Sequence, residues 1–198
     1  MNFLAHIYLS GDKPLVMVGN FMGDWVRGSL QSLELRYPPE IVKGITMHRF
    51  IDSFTDANPI TNKSIKKMRP LYGKYAGVVV DVLYDYFLAK NWMLYCSQDL
   101  QQYCSKFYDY CIEYYDYLPQ KLQMQVPHLI ISNRLASYAR LEGISAALKT
   151  MEFTTSLPKH TDCAVEVFVD NYHDFQEEFT EFFDKICDAV EKKFDVVL

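Results

Sequence analysis

The chain has no C-x-x-C pair, and its cysteines, Cys96, Cys104, Cys111, Cys163 and Cys187, are odd in number. A disulfide framework and a zinc ribbon are thereby excluded, and a reducing, cytoplasmic setting is expected. Excess positive charge is also missing. Lys and Arg number 20 against 25 Asp and Glu, a net charge of -5. That balance argues against a dedicated nucleic-acid coat and against a polybasic membrane anchor. No run approaches the ~20 apolar residues of a membrane span. The opening MNFLAHIYLSGDK lacks a basic n-region and is apolar over only a few residues, so no secretory signal is expected. Glycine and proline, 8 of each, are scattered as punctuation, without a linker, repeat or low-complexity tract. Convincing strands are absent.

What remains is a chain of 198 residues, 49% hydrophobic and 23% charged, with 15 Tyr, 13 Phe and 2 Trp. At about 150 residues per domain this is one globular domain. A chain of this length buries roughly 70% of its unfolded surface and needs no disulfide or metal merely to fold. The patterning predicts an all-α, single-domain helical bundle, with helical segments near 2–9, 14–27, 39–56, 60–69, 71–94, 98–117, 120–140, 143–153 and 162–195. The last is the clearest. Val165, Phe168, Tyr172, Phe175, Phe179, Phe182, Ile186 and Val190 recur at steps of three and four. Its length suits a kink. Tyr103, Phe107, Cys111, Tyr114 and Leu118 make a similar stripe, which reads as packing. Pro39 opens a helix. VVVDVL runs into YDYFLAKNW without a turn and reads as buried helix rather than strand.

The chemical signal is polar residues that interrupt apolar stripes. In 39–56, His48 and Asp52 continue the stripe begun by Ile41 and Ile45, one turn apart. Between Ala76 and Ala89 the only charges are Asp81 and Asp85, again four apart and on one face. Burying a lone carboxylate is prohibitive unless it is paired or binds metal. Asp24 sits among Phe21, Met22, Trp25 and Val26, and His6 lies in NFLAHIYL. Each has an ordinary explanation. His6 can be a hydrogen-bonded core histidine, Asp52 can pair with Arg49, Asp24 with Arg27, and Asp85 can accept from tyrosine hydroxyls. As a set, two histidines and several aspartates on inward faces of different helices resemble a divalent-metal site in a bundle. Such oxygen-rich ligation suits Mn²⁺, Mg²⁺ or Fe²⁺, and its usual chemistry is generating hydroxide for attack on phosphorus.

MNFLAH, GNFMGDWVRG, GITMHRFIDSFTD and DVLYDYFLAKNW, in that order through residues 1–93, resemble the acyl carrier protein phosphodiesterases. The likeness thins to scattered similarities such as YARLEGISAAL beyond. These bacterial enzymes remove 4′-phosphopantetheine from holo-acyl carrier protein and are divergent relatives of the HD-domain phosphohydrolases. The resemblance implies an all-α, HD-domain-like fold, a preference for Mn²⁺ and acyl carrier protein as protein substrate, with neither nucleic acid nor membrane as partner. No His-Asp doublet occurs in the motif region. Gly23-Asp24 stands where one is sought, and the only such pair is His173-Asp174.

On this reading His6, Asp24, His48, Asp52 and Asp81 supply most metal ligands. Arg49 or Arg27 stabilises charge on the equatorial oxygens, and Asp85 orients the water or a ligand. Carrier proteins of this kind are strongly acidic. From Ala57 to Val80 the chain has no acid but holds Lys63, Lys66, Lys67, Arg69 and Lys74, an expected docking patch near the mouth of the site. Two other readings stay open here: a metal-dependent phosphohydrolase of another small phosphodiester or nucleotide, and a non-enzymatic helical interaction protein.

Overall fold

A computed structural model describes residues 1–198. It contains α-helices and single 3₁₀ turns, and no strand. The helices are α1 (Phe3–Tyr8), α2 (Pro14–Phe21), α3 (Leu30–Glu34), α4 (Pro39–Ala57), α5 (Pro59–Tyr72), α6 (Ala76–Lys90), α7 (Leu100–Glu113), α8 (Gln120–Ile131), α9 (Arg134–Ser137), α10 (Leu141–Thr154), α11 (Thr161–Asp170) and α12 (Tyr172–Phe194). The all-α expectation holds. No helix is long and apolar enough to cross a membrane.

Start signals in the sequence act as their chemistry dictates. Pro14, Pro39 and Pro59 open α2, α4 and α5, where the missing N–H has no helical partner anyway. The Asn58 side chain accepts from the Ile60 N–H, and Asp99 accepts from Gln101 and Gln102. VVVDVL is helical within α6, whose residues from Val82 to Ala89 are all buried. A helix apolar on every side belongs at the centre of a bundle. The α12 stripe of Phe175, Phe179, Phe182, Phe183, Ile186 and Val190 is buried. Phe179 stacks on Phe87 of α6, with ring centroids 5.6 Å apart. One continuous core results.

Five expected helices are shorter or divided, and α3 lies in no expected segment. The 98–117 segment forms Leu100–Glu113 and a separate 3₁₀ turn, Tyr115–Tyr117. The 14–27 segment stops at Phe21, and Gly23–Trp25 forms one 3₁₀ turn. The 71–94 segment starts only at Ala76, because Gly73 takes a left-handed φ of 53°. Residues 120–140 break at Asn133, φ 44°, a conformation asparagine tolerates. Residues 162–195 divide at Asn171, whose side-chain amide donates to the Val167 carbonyl and ends α11.

The packing that matters for the site is between α2 and α4. A Cβ built on Gly44 would lie 2.2 Å from the Val16 carbonyl oxygen, and one on Gly19 would lie 2.3 Å from that of Ile41. The two backbones therefore touch, which only glycine permits. This brings Asn20 of α2 against His48 of α4.

Candidate metal centre

Three helices and one turn supply the site. His6 comes from α1, Asn20 from α2, Asp24 from the 3₁₀ turn, and His48 and Asp52 from successive turns of α4. The His6 and His48 rings stack at 4.1 Å between centroids and 21° between planes. Asp52 bridges them, with Oδ1 3.2 Å from His6 Nε2 and Oδ2 3.1 Å from His48 Nε2. Asp24 Oδ1 lies 3.3 Å from His48 Nε2, and the Met1 carbonyl oxygen lies 3.0 Å from His6 Nε2. Side-chain exposure rises from 3% at His6 and 5% at His48 to 41% at Asp52 and 63% at Asp24. The histidines thus form the floor and the aspartates the mouth.

Charge follows this arrangement. Burial opposes protonation of His48, but hydrogen bonds to Asp24 and Asp52 outweigh it and raise its pKa to about 9. Burial lowers that of His6. Asp52 pulls the other way without prevailing, and neighbouring His48 adds to the depression. Burial pushes Asp52 up, yet its contacts with His48 and His6 hold it well below the usual carboxylate range. The hydrogen bond from His48 likewise lowers Asp24. One imidazolium facing two carboxylates leaves the centre net negative. His6 Nε2, His48 Nε2 and an Asp52 oxygen lie within 4.8 Å of one another. The donor set fits a divalent cation: imidazole and carboxylate, with negative charge to neutralise.

The structure does not bring every expected residue here. Asp81 and Asp85 do share one face of α6, but that face meets the N-terminal segment. Asp81, expected among the ligands, lies 2.8 Å from the Met1 ammonium. Asp85, expected to orient water, accepts from the backbone N–H of Leu4 at 2.8 Å and of Ala5 at 3.2 Å. It caps α1, because the first N–H groups of a helix have no partner within it. Burial raises its pKa to about 7, against the Leu4 N–H, the Met1 ammonium and the Ala5 N–H. Arg27, in the segment after Asp24, and Arg49, on α4, are exposed. Arg49 Nη2 lies 3.4 Å from the Val26 carbonyl oxygen, and Arg36 donates to that of Arg27 at 2.9 Å.

Of the expected docking patch, Lys63, Lys66 and Arg69 are exposed. Lys67 is a correction. It turns onto α12, pairing with Glu178 at 2.6 Å and Asp174 at 3.7 Å, above the Phe175 ring. The acids absent from the local sequence come from α12 in space.

Sequence reasoning missed Asn20. It is fully buried, and its side-chain and backbone oxygens lie 2.8 Å from His6 Nδ1 and His48 Nδ1 respectively. The signal was its place beside Asp24 in the apolar GNFMGDW. A Cβ on Gly23 of the same motif would lie 2.2 Å from His48 Cγ, so the ring of His48 requires that glycine.

Comparison with known proteins gives the family of the chain. The family model described as acyl carrier protein phosphodiesterase matches residues 1–186. A Yersinia pestis protein of that name is 33% identical over 152 residues, 76% of this chain and 77% of the relative. A Photorhabdus laumondii subsp. laumondii protein of the same name is 29% identical over 194 residues, 98% and 96% of the two chains. A third, from Pectobacterium atrosepticum, is 28% identical over 187 residues, 94% and 95%. No solved structure matches. With a family match that spans the whole of the centre and nearly all of the helical core around it, the chain belongs to the acyl carrier protein phosphodiesterase family.

Proposed function

We propose that this chain hydrolyses the phosphodiester between 4′-phosphopantetheine and a serine of holo-acyl carrier protein, with a divalent cation, Mn²⁺, held by His6, His48 and Asp52 and flanked by Asp24. The convergence of those four side chains, in a chain of this family, carries the reading. When bound, such a cation draws charge from phosphoryl oxygens and lowers the pKa of a coordinated water toward neutrality. The chain's own residues prepare for that. His6 and His48 present Nε2 from a dry floor. Asp52 holds both rings in place through its two oxygens. Arg27 and Arg49, both exposed, take the negative charge that grows on the phosphoryl oxygens. Lys63, Lys66 and Arg69 meet the acidic carrier protein. A divergent HD-type descent goes with this reading, Gly23-Asp24 standing in place of the doublet while His48 fills the space beside residue 23. All five cysteines are free, which supports a reducing, cytoplasmic setting.

The test is incubation of holo-acyl carrier protein with this protein and Mn²⁺, read by intact mass. Loss of the phosphopantetheine mass, abolished by excess chelator, is expected. An unchanged carrier protein overturns the substrate. Hydrolysis confined to bis(p-nitrophenyl) phosphate does the same while keeping the metal centre. Full turnover in excess chelator overturns the metal.

A further inference from the structure

Behind the stacked histidines lies one buried amide whose every polar atom is committed. Asn20 Nδ2 donates to the His6 carbonyl at 2.7 Å and to Ser10 Oγ at 2.9 Å. The Ser10 hydroxyl donates in turn to the His6 carbonyl at 2.8 Å. Ser10 therefore accepts from Asn20, and the amide nitrogen is fixed on that side. Oδ1 is left facing His6 Nδ1 at 2.8 Å. An amide oxygen only accepts, so this contact calls for a proton on His6 Nδ1; it is shorter than those of Nε2 with the Met1 carbonyl oxygen, 3.0 Å, and Asp52 Oδ1, 3.2 Å, which lie on the side a cation would take. The Asn20 backbone carbonyl belongs to the last turn of α2, and it accepts from His48 Nδ1 at 2.8 Å. His48 also carries a proton on Nδ1. Because the rings are nearly parallel, both Nε2 atoms then face the same side, toward Asp52.

We propose that Asn20 is the positioning residue of this centre: it fixes the Nδ1–H form of both histidines, His6 through its side chain and His48 through its backbone, and so presents both Nε2 atoms to a divalent cation. Neutral imidazole binds metal through the nitrogen that its other hydrogen bond leaves bare, and loss of such an orienting partner typically weakens metal binding about 10- to 100-fold. The affinity half of this inference rests on the metal reading above. The tautomer half does not.

The two anchors separate by mutation. Asn20→Ala removes the side-chain anchor of His6 and keeps the carbonyl that holds His48. ¹⁵N NMR of the imidazoles in chelator-treated protein reads the tautomer with no metal and no substrate. In the parent, His6 is expected as the Nδ1–H form. In Asn20→Ala it is expected to shift to a mixture or to the Nε2–H form, with His48 unmoved. Mn²⁺ titration is expected to show affinity lower by about 10- to 100-fold. Ser10→Ala, which keeps the Oδ1 contact, is expected to leave the His6 tautomer as it was. Should Asn20→Ala not fold, Asn20→Asp keeps an acceptor toward His6 and is expected to retain Nδ1–H. A parent His6 in the Nε2–H form overturns the proposal. So does an unchanged His6 tautomer in Asn20→Ala, or an Nε2–H form in Asn20→Asp. A shifted tautomer with unchanged Mn²⁺ affinity overturns the metal half alone, and none of these readings depends on hydrolysis of a carrier protein.

Discussion

At the scale of single residues, Asp52 has the most consequence, since it alone meets the Nε2 atoms of both histidines. Asp52→Asn keeps its shape and loses its charge. His48 then keeps only Asp24 as a charged partner, and its NMR titration midpoint is expected to fall from about 9 toward the ordinary histidine value of 6.5. The metal-dependent rate is expected to drop by at least the about 10- to 100-fold typical of losing an outer partner of a metal ligand. A midpoint that stays put would show that Asp24 suffices to hold the charge. Gly23→Ala is a test by volume rather than charge. Its new methyl group meets the His48 ring and is expected to weaken Mn²⁺ binding about tenfold or more with Asp24 intact, as read by titration. The sequence already marked His6, Asp24, His48 and Asp52, because a charge within an apolar stripe is costly enough to be conspicuous. Asn20 carries no charge, and its burial cost is cancelled by hydrogen bonds visible only in three dimensions. Asp81 and Asp85 show the opposite limit. Helical spacing correctly put them on one face, but spacing does not say what that face meets.

At the scale of elements, the short helix α1 depends on α6. Its six residues are too few to be stable alone, and Asp85 satisfies two of its free N–H groups. Asp85→Asn turns an amide N–H₂ toward a backbone N–H and is expected to cost about 1–3 kcal/mol, measured by denaturant unfolding. The pH dependence has a definite sign. An acid whose folded pKa, about 7, lies above its ordinary 3.8 favours folding while protonated. Its contribution is complete below the lower value and is lost as pH rises through the higher one. The stability difference between parent and Asp85→Asn is therefore expected to shrink between about pH 4 and pH 7. The pairing of α5 with α12 makes a second prediction. Lys67→Glu would face Glu178 and Asp174 and is expected to lower the melting temperature. Lys63→Glu with Lys66→Glu, at exposed positions, is expected to raise KM for the carrier protein and flatten its salt dependence, with melting unchanged. Equal loss of stability in both variants would remove the docking role. Helix existence was legible from the 3.6-residue period except at α3, whose five residues lie in no expected segment. Helix ends were not, because Asn133 and Asn171 stop helices through a backbone conformation and a side-chain bond that periodicity does not encode.

At the scale of the whole molecule, the centre ties α1, α2 and α4 into one unit seated on α6. A cation that binds only the folded state adds about 2.7 kcal/mol at a hundredfold excess over its Kd. Saturating Mn²⁺ is therefore expected to raise the melting temperature, and chelator to reverse the rise. An unmoved melting curve would count against a centre tied to the fold. The backbone contact of Gly19 and Gly44 has a further consequence for how such a molecule tolerates change. Most cores hold functional groups apart by side-chain thickness, so drift in one residue's volume moves everything beyond it. Between α2 and α4 no side chain intervenes at this crossing. The spacing of the Asn20 backbone from that of His48 is set between peptide groups, which have no rotamers and no volume to lose, and the His48 ring alone then spans to the Asn20 carbonyl. It works as a gauge block built into the chain: the hydrophobic residues around it can be exchanged over long divergence while the distance it sets stays the same.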